Sequence, residues 1–249
     1  MIVAISVGFA AGYLGSLMVL ERMALVGDAL SHVALPGLAL GILYGFNPFM
    51  GAFAFLFASA ILIWRLERVT RLSFETIVGS LFTISLAVGI LLIPETELLE
   101  ALFGDISKVT RLDAIVTVGL SAAVMISARK IYDKLVLSMI SEGLAASIGV
   151  KVARINLLYL LLVSVIVAMS IRIVGTLLVG FLVVVPAAVA KNASSNLSKY
   201  SMLSSLFGAI SASSGILLSQ LLKLPAGPLI VLSGIIVFLI ALPVRRLTR

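Results

Sequence analysis

Two side chains in this sequence could share a cation. Asp28 and His32, the latter the only histidine of the chain, stand four residues apart in the stretch Met23-Ala-Leu-Val-Gly-Asp28-Ala-Leu-Ser-His32-Val-Ala-Leu-Pro36-Gly37. On a helix this spacing puts both on one face. A carboxylate oxygen and an imidazole nitrogen that reach one ion form a ligand set suited to zinc, manganese or iron. Ionisable groups inside an apolar span are costly to hold there and are usually functional. The same pair could instead be a buried Asp–His hydrogen bond that fastens neighbouring helices, and two ligands do not complete a metal site. Spacing alone leaves both readings open. One turn later, Pro36-Gly37 predicts a broken or kinked helix with freed carbonyls. The chain has no cysteine, which excludes disulfides, thiolate metal ligands and iron–sulfur clusters and leaves His, carboxylate and backbone oxygen for any metal chemistry.

The surroundings of this pair decide its solvent. Of 249 residues, 61% are hydrophobic and 12% charged, with mean hydropathy +1.26, about half the charge of a soluble domain. An ordinary soluble enzyme is excluded. A bilayer core about 30 Å thick needs about 20 apolar residues per helix, and the charged and turn-forming residues cut the chain into nine such runs: 2–20, 24–44, 49–64, 74–93, 111–128, 155–171, 173–190, 201–222 and 228–243. The run 155–190 is too long for one span, and its one internal charge, Arg172, marks the expected tight turn. Met1 opens directly on an apolar run with no basic stretch ahead of it, so the first run is expected to stay in the membrane rather than be cleaved. Small residues such as Gly8, Gly12, Gly15, Gly208, Ser211 and Gly215 predict close helix–helix packing.

The net charge of +7 would suggest nucleic acid in a soluble chain, but here the basic residues fall between the apolar runs and report orientation. If the loop with Arg65, Arg68 and Arg71 is cytoplasmic, so are Arg22, Arg129, Lys130, Lys134, Lys151, Arg154, Lys191, Lys199, Arg245, Arg246 and Arg249, which is 14 of the 18 basic residues. Lys108, Arg111, Arg172 and Lys223 then lie outside, with the N-terminus outside and the C-terminus cytoplasmic. The outer loop 94–110 carries Glu95, Glu97, Glu100 and Asp105, a potential that favours cations. Counted from Arg22, Asp28 lies only about 9 Å from the cytoplasmic end. A deep site therefore requires this segment to tilt or enter irregularly.

The cytoplasmic stretch 141–150, SEGLAASIGV, reads as a short amphipathic helix with Glu142 in its first turn and Gly149 at its end. It could dock a soluble partner or lie on the lipid surface. Glu75 reads as an acid placed by the helix dipole at the start of the fourth run, Arg172 as an outer loop charge, and Pro186 as a kink near the inner end of the seventh. There is no phosphate-binding G-x-x-x-x-G-K-[ST] loop, no H-E-x-x-H and no G-x-S-G serine site, so neither ATP hydrolysis nor intramembrane proteolysis has a support in this chain.

The stretch Glu21 to Gly37 resembles the most recognisable segment of the zinc/manganese/iron permeases of binding-protein-dependent ATP-binding-cassette importers. Three further segments fit in order: Leu102-Phe103-Gly104-Asp105-Ile106, Val174-Gly175-Thr176-Leu177-Leu178-Val179 running to Pro186-Ala187-Ala188, and Leu224-Pro225-Ala226-Gly227-Pro228. The resemblance implies an all-α polytopic bundle of about nine helices, a single domain over 1–249, related to the vitamin B12 importer permeases. It implies a multi-pass plasma-membrane protein working as a homodimer, with ATP hydrolysis on separate ATP-binding-cassette subunits and an extracytoplasmic protein delivering the ion. By the same likeness the loop 138–152 is the coupling helix, with Glu142, Leu144, Ala145, Ala146 and Gly149 facing the ATPase. Asp28 and His32 become the metal-contacting pair, one from each subunit supplying four ligands. No resident cofactor is implied, since the divalent ion is cargo. A same-fold permease for a metal chelate such as cobalamin or a siderophore, and a self-contained secondary carrier, are the alternatives.

Overall fold

In the computed structural model, residues 1–104, 106 and 109–241 are described; Asp105, Lys108, Arg245, Arg246 and Arg249 lie outside them. Every long element is a helix, because a chain solvated by lipid must pair its backbone polar groups within its own segments. The described residues form α1 (Ile2–Leu20), α2 (Val26–Val33), α3 (Leu35–Leu43), α4 (Pro48–Val69), α5 (Phe74–Leu92), α6 (Glu95–Phe103), α7 (Arg111–Ile140), α8 (Glu142–Ser147), α9 (Val152–Val174), α10 (Val179–Ala193), α11 (Leu197–Leu222) and α12 (Ala226–Ala241). Seven helical stretches are long and apolar enough to cross a membrane, with α2 and α3 counted as one, and α10 and α12 are shorter apolar helices. These correspond one for one to the nine apolar runs.

Helix starts follow local chemistry. The Asn47 side chain accepts the Phe49 N–H ahead of α4, Ser73 caps α5 through the Thr76 N–H, and Asn196 caps α11 through the Lys199 N–H. Glu75 sits in the first turn of α5 as expected. Thr110 and Asp113 form a reciprocal capping box at the start of α7. Helices α1 and α9 run through the core, whereas α5 and α7 present apolar side chains such as Leu91, Ile115 and Ile126 outward. Small residues let α1 and α11 meet backbone to backbone: a methyl added at Gly8 or Gly12 would strike the carbonyls of Gly208 or Ser204, and the Ser204 hydroxyl donates to the Gly12 carbonyl.

One expectation is corrected. The turn expected at Arg172 lies later, at 175–178, and α9 runs through Arg172 to Val174. The helix can continue because Arg172 is not a free loop charge. Its guanidinium donates to Asp113 at 2.6 Å and lies over the Phe49 ring, 4.6 Å from the centroid, so α9, α7 and α4 are joined there. Helix α1 runs to Leu20, with Ser16 bonded to Ser201 near the start of α11, and the turn 21–25 passes through Arg22 at φ +62°. Asp28 therefore lies opposite Gly180, at the start of α10. Gly180 lies about 17 Å along α10 from Lys191 at 1.5 Å per residue.

The turn 21–25 contains Glu21, whose Oε2 is buried without a partner. Burial, then the charges of Glu67 and Glu142, push its carboxyl up to about 7. The fold therefore prefers the protonated form. Glu21 costs nothing below the ordinary carboxylate range and destabilises increasingly as pH rises from there to about 7. Glu21→Gln is expected to leave melting of the detergent-solubilised protein unchanged near pH 4 and to stabilise it at pH 8 by on the order of 3 kcal/mol; an equal effect at both pH values would contradict the assignment. For the part-buried Arg172–Asp113 pair, Arg172→Ala and Asp113→Ala should each lower stability by about 1–3 kcal/mol, and the double variant should lose little more than either alone. Additive losses would mean the ion pair contributes nothing.

Candidate functional site

Helix α2 places the two candidate ligands one turn apart, between α10 on one side and α5 on the other. Asp28 is half-buried against Gly180, and a methyl added at Gly180 would lie 2.6 Å from both Cβ and Oδ1 of Asp28. His32 is 7% exposed. Its ring meets Phe82 of α5 edge-on, with centroids 5.3 Å apart, and its Nδ1 is buried with no hydrogen-bond partner. No hydrogen bond or ion pair joins Asp28 to His32, so the pair is not the Asp–His clamp that spacing also allowed. An unpaired buried ring nitrogen costs about 1–3 kcal/mol, and coordination of a cation would offset that. Among the described residues no three His, Asp or Glu side chains converge as a metal-binding group. One chain thus supplies two ligands and not a closed site.

The span is broken where Pro36 predicts it: α2 ends at Val33, Ala34 is the shared cap, and Pro36 occupies the second position of α3. A second break lies beside it. After α9 the chain turns through Gly175 at φ +82°, and the Thr176 and Leu177 N–H groups donate to the carbonyls of Ala101 and Leu102 at the end of α6, at 3.0 and 3.1 Å. Thr176 Oγ1 donates to the Ala101 carbonyl as well. Three glycines meet at this junction. A methyl on Gly104 would come within 2.7 Å of the Gly175 nitrogen, one on Gly175 would strike Leu102 O, and one on Gly227 would lie 2.7 Å from both Phe103 O and Val174 O. The segments around Gly104, Gly175 and Gly227, scattered in the sequence, therefore build one structure, and the Ser31 hydroxyl ties α2 to it through the Thr176 carbonyl at 2.6 Å. Sequence reasoning missed Ser31, Gly180 and the convergence of the three glycines; the glycines themselves were the available signal.

At the opposite end, α8 forms as expected. Ser141 Oγ accepts the Leu144 N–H, and Gly149 ends the segment at φ +83°. Glu142, Leu144, Ala146 and Gly149 are exposed, but Ala145 is fully buried. Four of the five residues expected to face a partner are therefore available, and Ala145 instead seats the helix on the bundle.

The sequence matches the ABC 3 transport family over residues 1–245. The chain belongs to that family. It is 33% identical over 245 residues to the manganese transport system membrane protein MntC of Listeria innocua, covering 97% of this chain and 88% of that protein. Over the same shares it is 33% identical to the manganese import system permease protein ScaB of Streptococcus parasanguinis. The high-affinity zinc uptake system membrane protein ZnuB of Buchnera aphidicola is 31% identical over 237 residues, 92% of this chain and 90% of that protein. Among solved structures, PsaBC from Streptococcus pneumoniae in complex with Fab aligns with TM-score 0.84 at 33% identity, over 96% of this chain and 88% of that chain. A metal-chelate type ABC transporter in an inward-facing conformation shares the fold, with TM-score 0.78 at 21% identity over 100% of this chain and 84% of that chain. This ABC 3 family member is a multi-pass membrane permease.

The Gly180–Asp28 contact leads to a direct expectation. Gly180→Ala should push α2 away from α10, because the added methyl lies 2.6 Å from the Cβ of Asp28, which no side-chain rotation moves, and should cut transport by at least 10-fold in the protein that still inserts. Uptake in whole cells, normalised to membrane-inserted protein, measures it. Wild-type uptake would mean that the position of Asp28 does not matter.

Proposed function

We propose that this chain is the membrane permease subunit of an ATP-driven importer of divalent transition-metal ions, manganese or zinc, with Asp28 and His32 contacting the ion as it crosses. The observation that carries the reading is the pair of half-buried Asp28 and buried His32, mutually unbonded on a broken helix, in a chain co-extensive with permeases named for manganese and zinc transport. Nitrogen and oxygen ligands of this kind also suit iron. The metal is cargo, and no resident cofactor belongs to the reading.

Two ligands per chain leave a site half built, and a second copy across a two-fold axis would complete a four-ligand set of two carboxylates and two imidazoles, which matches zinc and is compatible with manganese. The whole chain, 1–249, acts as one permease domain. The α8 end, near which most of the basic residues gather, faces the cytoplasm; there Glu142, Leu144, Ala146 and Gly149 would enter the ATP-binding-cassette subunit, which alone hydrolyses ATP. The α6 end, with Glu95, Glu97 and Glu100, would receive a metal-binding protein from the outside. Alternating access then requires the ion to exchange water for Asp28 and His32 when the path is open outward, and to leave when closure of the ATPases has opened it inward.

Reconstitution of the permease with its ATPase and binding protein tests this. Asp28→Asn and His32→Ala should each lower manganese or zinc uptake by at least 10-fold with assembly intact. Undiminished uptake by both would remove the pair from the path, and uptake in vesicles lacking the ATPase would make the chain a secondary carrier.

A further inference from the structure

Between the two candidate ligands stands a side chain with a different chemistry. Ser31 is fully buried, three residues after Asp28 and next to His32. Its oxygen lies 2.6 Å from the carbonyl oxygen of Asp28, on its own helix, and 2.6 Å from the carbonyl oxygen of Thr176, on the non-helical segment between α9 and α10. A hydroxyl carries one proton, so the two carbonyls compete for it. Among the described residues, Ser31 is the only side chain of α2 that hydrogen-bonds to another element.

Thr176 is itself held from the far side. Its N–H and its hydroxyl both donate to the Ala101 carbonyl, at 3.0 and 3.1 Å, and the next N–H, of Leu177, donates to Leu102 O. An unbroken series of hydrogen bonds therefore runs from the last turn of α6 through Thr176 and Ser31 to the backbone of Asp28. The segment it crosses has no helical ladder of its own, so a shift of α6 moves the Thr176 carbonyl directly rather than being absorbed by neighbouring turns.

We infer that Ser31 is a positioning residue through which α6 and the 175–178 segment set the pose of Asp28 and His32. With its proton on the Thr176 carbonyl, Ser31 pins α2 to the α6 junction. With its proton on the Asp28 carbonyl, it releases α2 and bonds only within its own helix. The same hydroxyl is satisfied in both arrangements, so exchange leaves no buried donor unpaired and either arrangement can be favoured by a small displacement of α6. The inference rests on the reading of Asp28 and His32 as the ion-contacting pair and adds to it the route by which an event at the α6 end reaches them.

The test uses the reconstituted complex of permease, ATPase and binding protein, with manganese uptake resolved into KM for metal-loaded binding protein and kcat. Ser31→Cys is slightly larger and a poor donor, and Ser31→Ala removes the donor; both are expected to lower kcat about 10-fold with KM unchanged. Ser31→Thr retains the hydroxyl and should recover most of the turnover. Thr176→Val, which deletes one bond to Ala101, should give a smaller loss, and Ser31→Ala combined with Thr176→Val should be no worse than Ser31→Ala alone, because the two bonds act in series. Wild-type kcat for Ser31→Cys, or losses that multiply in the double variant, would overturn the proposal. An Asp28→Asn control separates the two readings. If it transports normally, the ion-contact reading fails whatever Ser31 does; if it is inactive while Ser31→Cys is normal, only the positioning role fails.

Discussion

The rest of this structure depends on how backbone groups are paired where helices stop inside a bundle that lipid surrounds. An unpaired N–H or carbonyl at that depth costs several kcal/mol, and water is not there to take it. The chain breaks its helices at Ala34 and at 175–178 and meets the cost in different ways. At Ala34, Pro36 has no N–H to satisfy. At 175–178, the N–H groups of Thr176 and Leu177 find the carbonyls of Ala101 and Leu102 at the C-terminus of α6, which are themselves left over where that helix ends. Two sets of orphan groups, one of donors and one of acceptors, cancel. This requires two chain segments to touch through their backbones, and glycine at 104, 175 and 227 leaves the room.

Once that junction exists, the position of Asp28 follows. Helix α10 starts directly after the junction and so presents Gly180 near its upper end, and the missing side chain there makes the cavity that Asp28 fills. The loss of helix at 175–178 also exposes the Thr176 carbonyl sideways, where Ser31 reaches it. His32, one turn on from Asp28, points to Phe82 and keeps an unpaired ring nitrogen. A purely structural histidine would normally have been given a partner. On the proposed reading, the uncommitted nitrogen and the carboxylate held beside a glycine are the groups that an ion would meet.

Much of this was legible in the residues. Apolar run length located nine apolar helical segments, seven of them long enough to cross a membrane, since bilayer thickness is a hard ruler, and Pro36 located the break in the second. Ser141, Glu142 and Gly149 outlined α8, because capping chemistry is local. Asp28 and His32 stood out because ionisable groups are rare in such runs. What could not be read was anything that depends on distant segments meeting. Arg172 looked like a loop charge because its partners, Asp113 and Phe49, come from other helices, and a paired arginine no longer ends a helix. The contact of Asp28 with Gly180 was hidden for the same reason, since α2 and α10 are distant in the chain. Ala145 looked like part of an exposed face because a six-residue helix is too short for periodicity to tell inside from outside.

The packing also separates what can move from what cannot. Where α1 crosses α11, backbones meet at Gly8, Gly12 and Gly208 with no side chain between them, and such contacts resist sliding because repulsion rises steeply at that separation. Helix α2 is held differently. It is eight residues long, bounded by a turn on one side and the Ala34 break on the other, and its polar tie to its surroundings is one hydroxyl whose net worth is about 1 kcal/mol. Its other holds are apolar, with Val26, Leu30 and Val33 buried in the core, and apolar burial is non-directional, so the Ser31 bond is the directional hold on the element that carries both candidate ligands. The α1–α11 seam then serves as the frame, while α2, released or pinned through Ser31, is the part whose displacement would alter the surroundings of an ion.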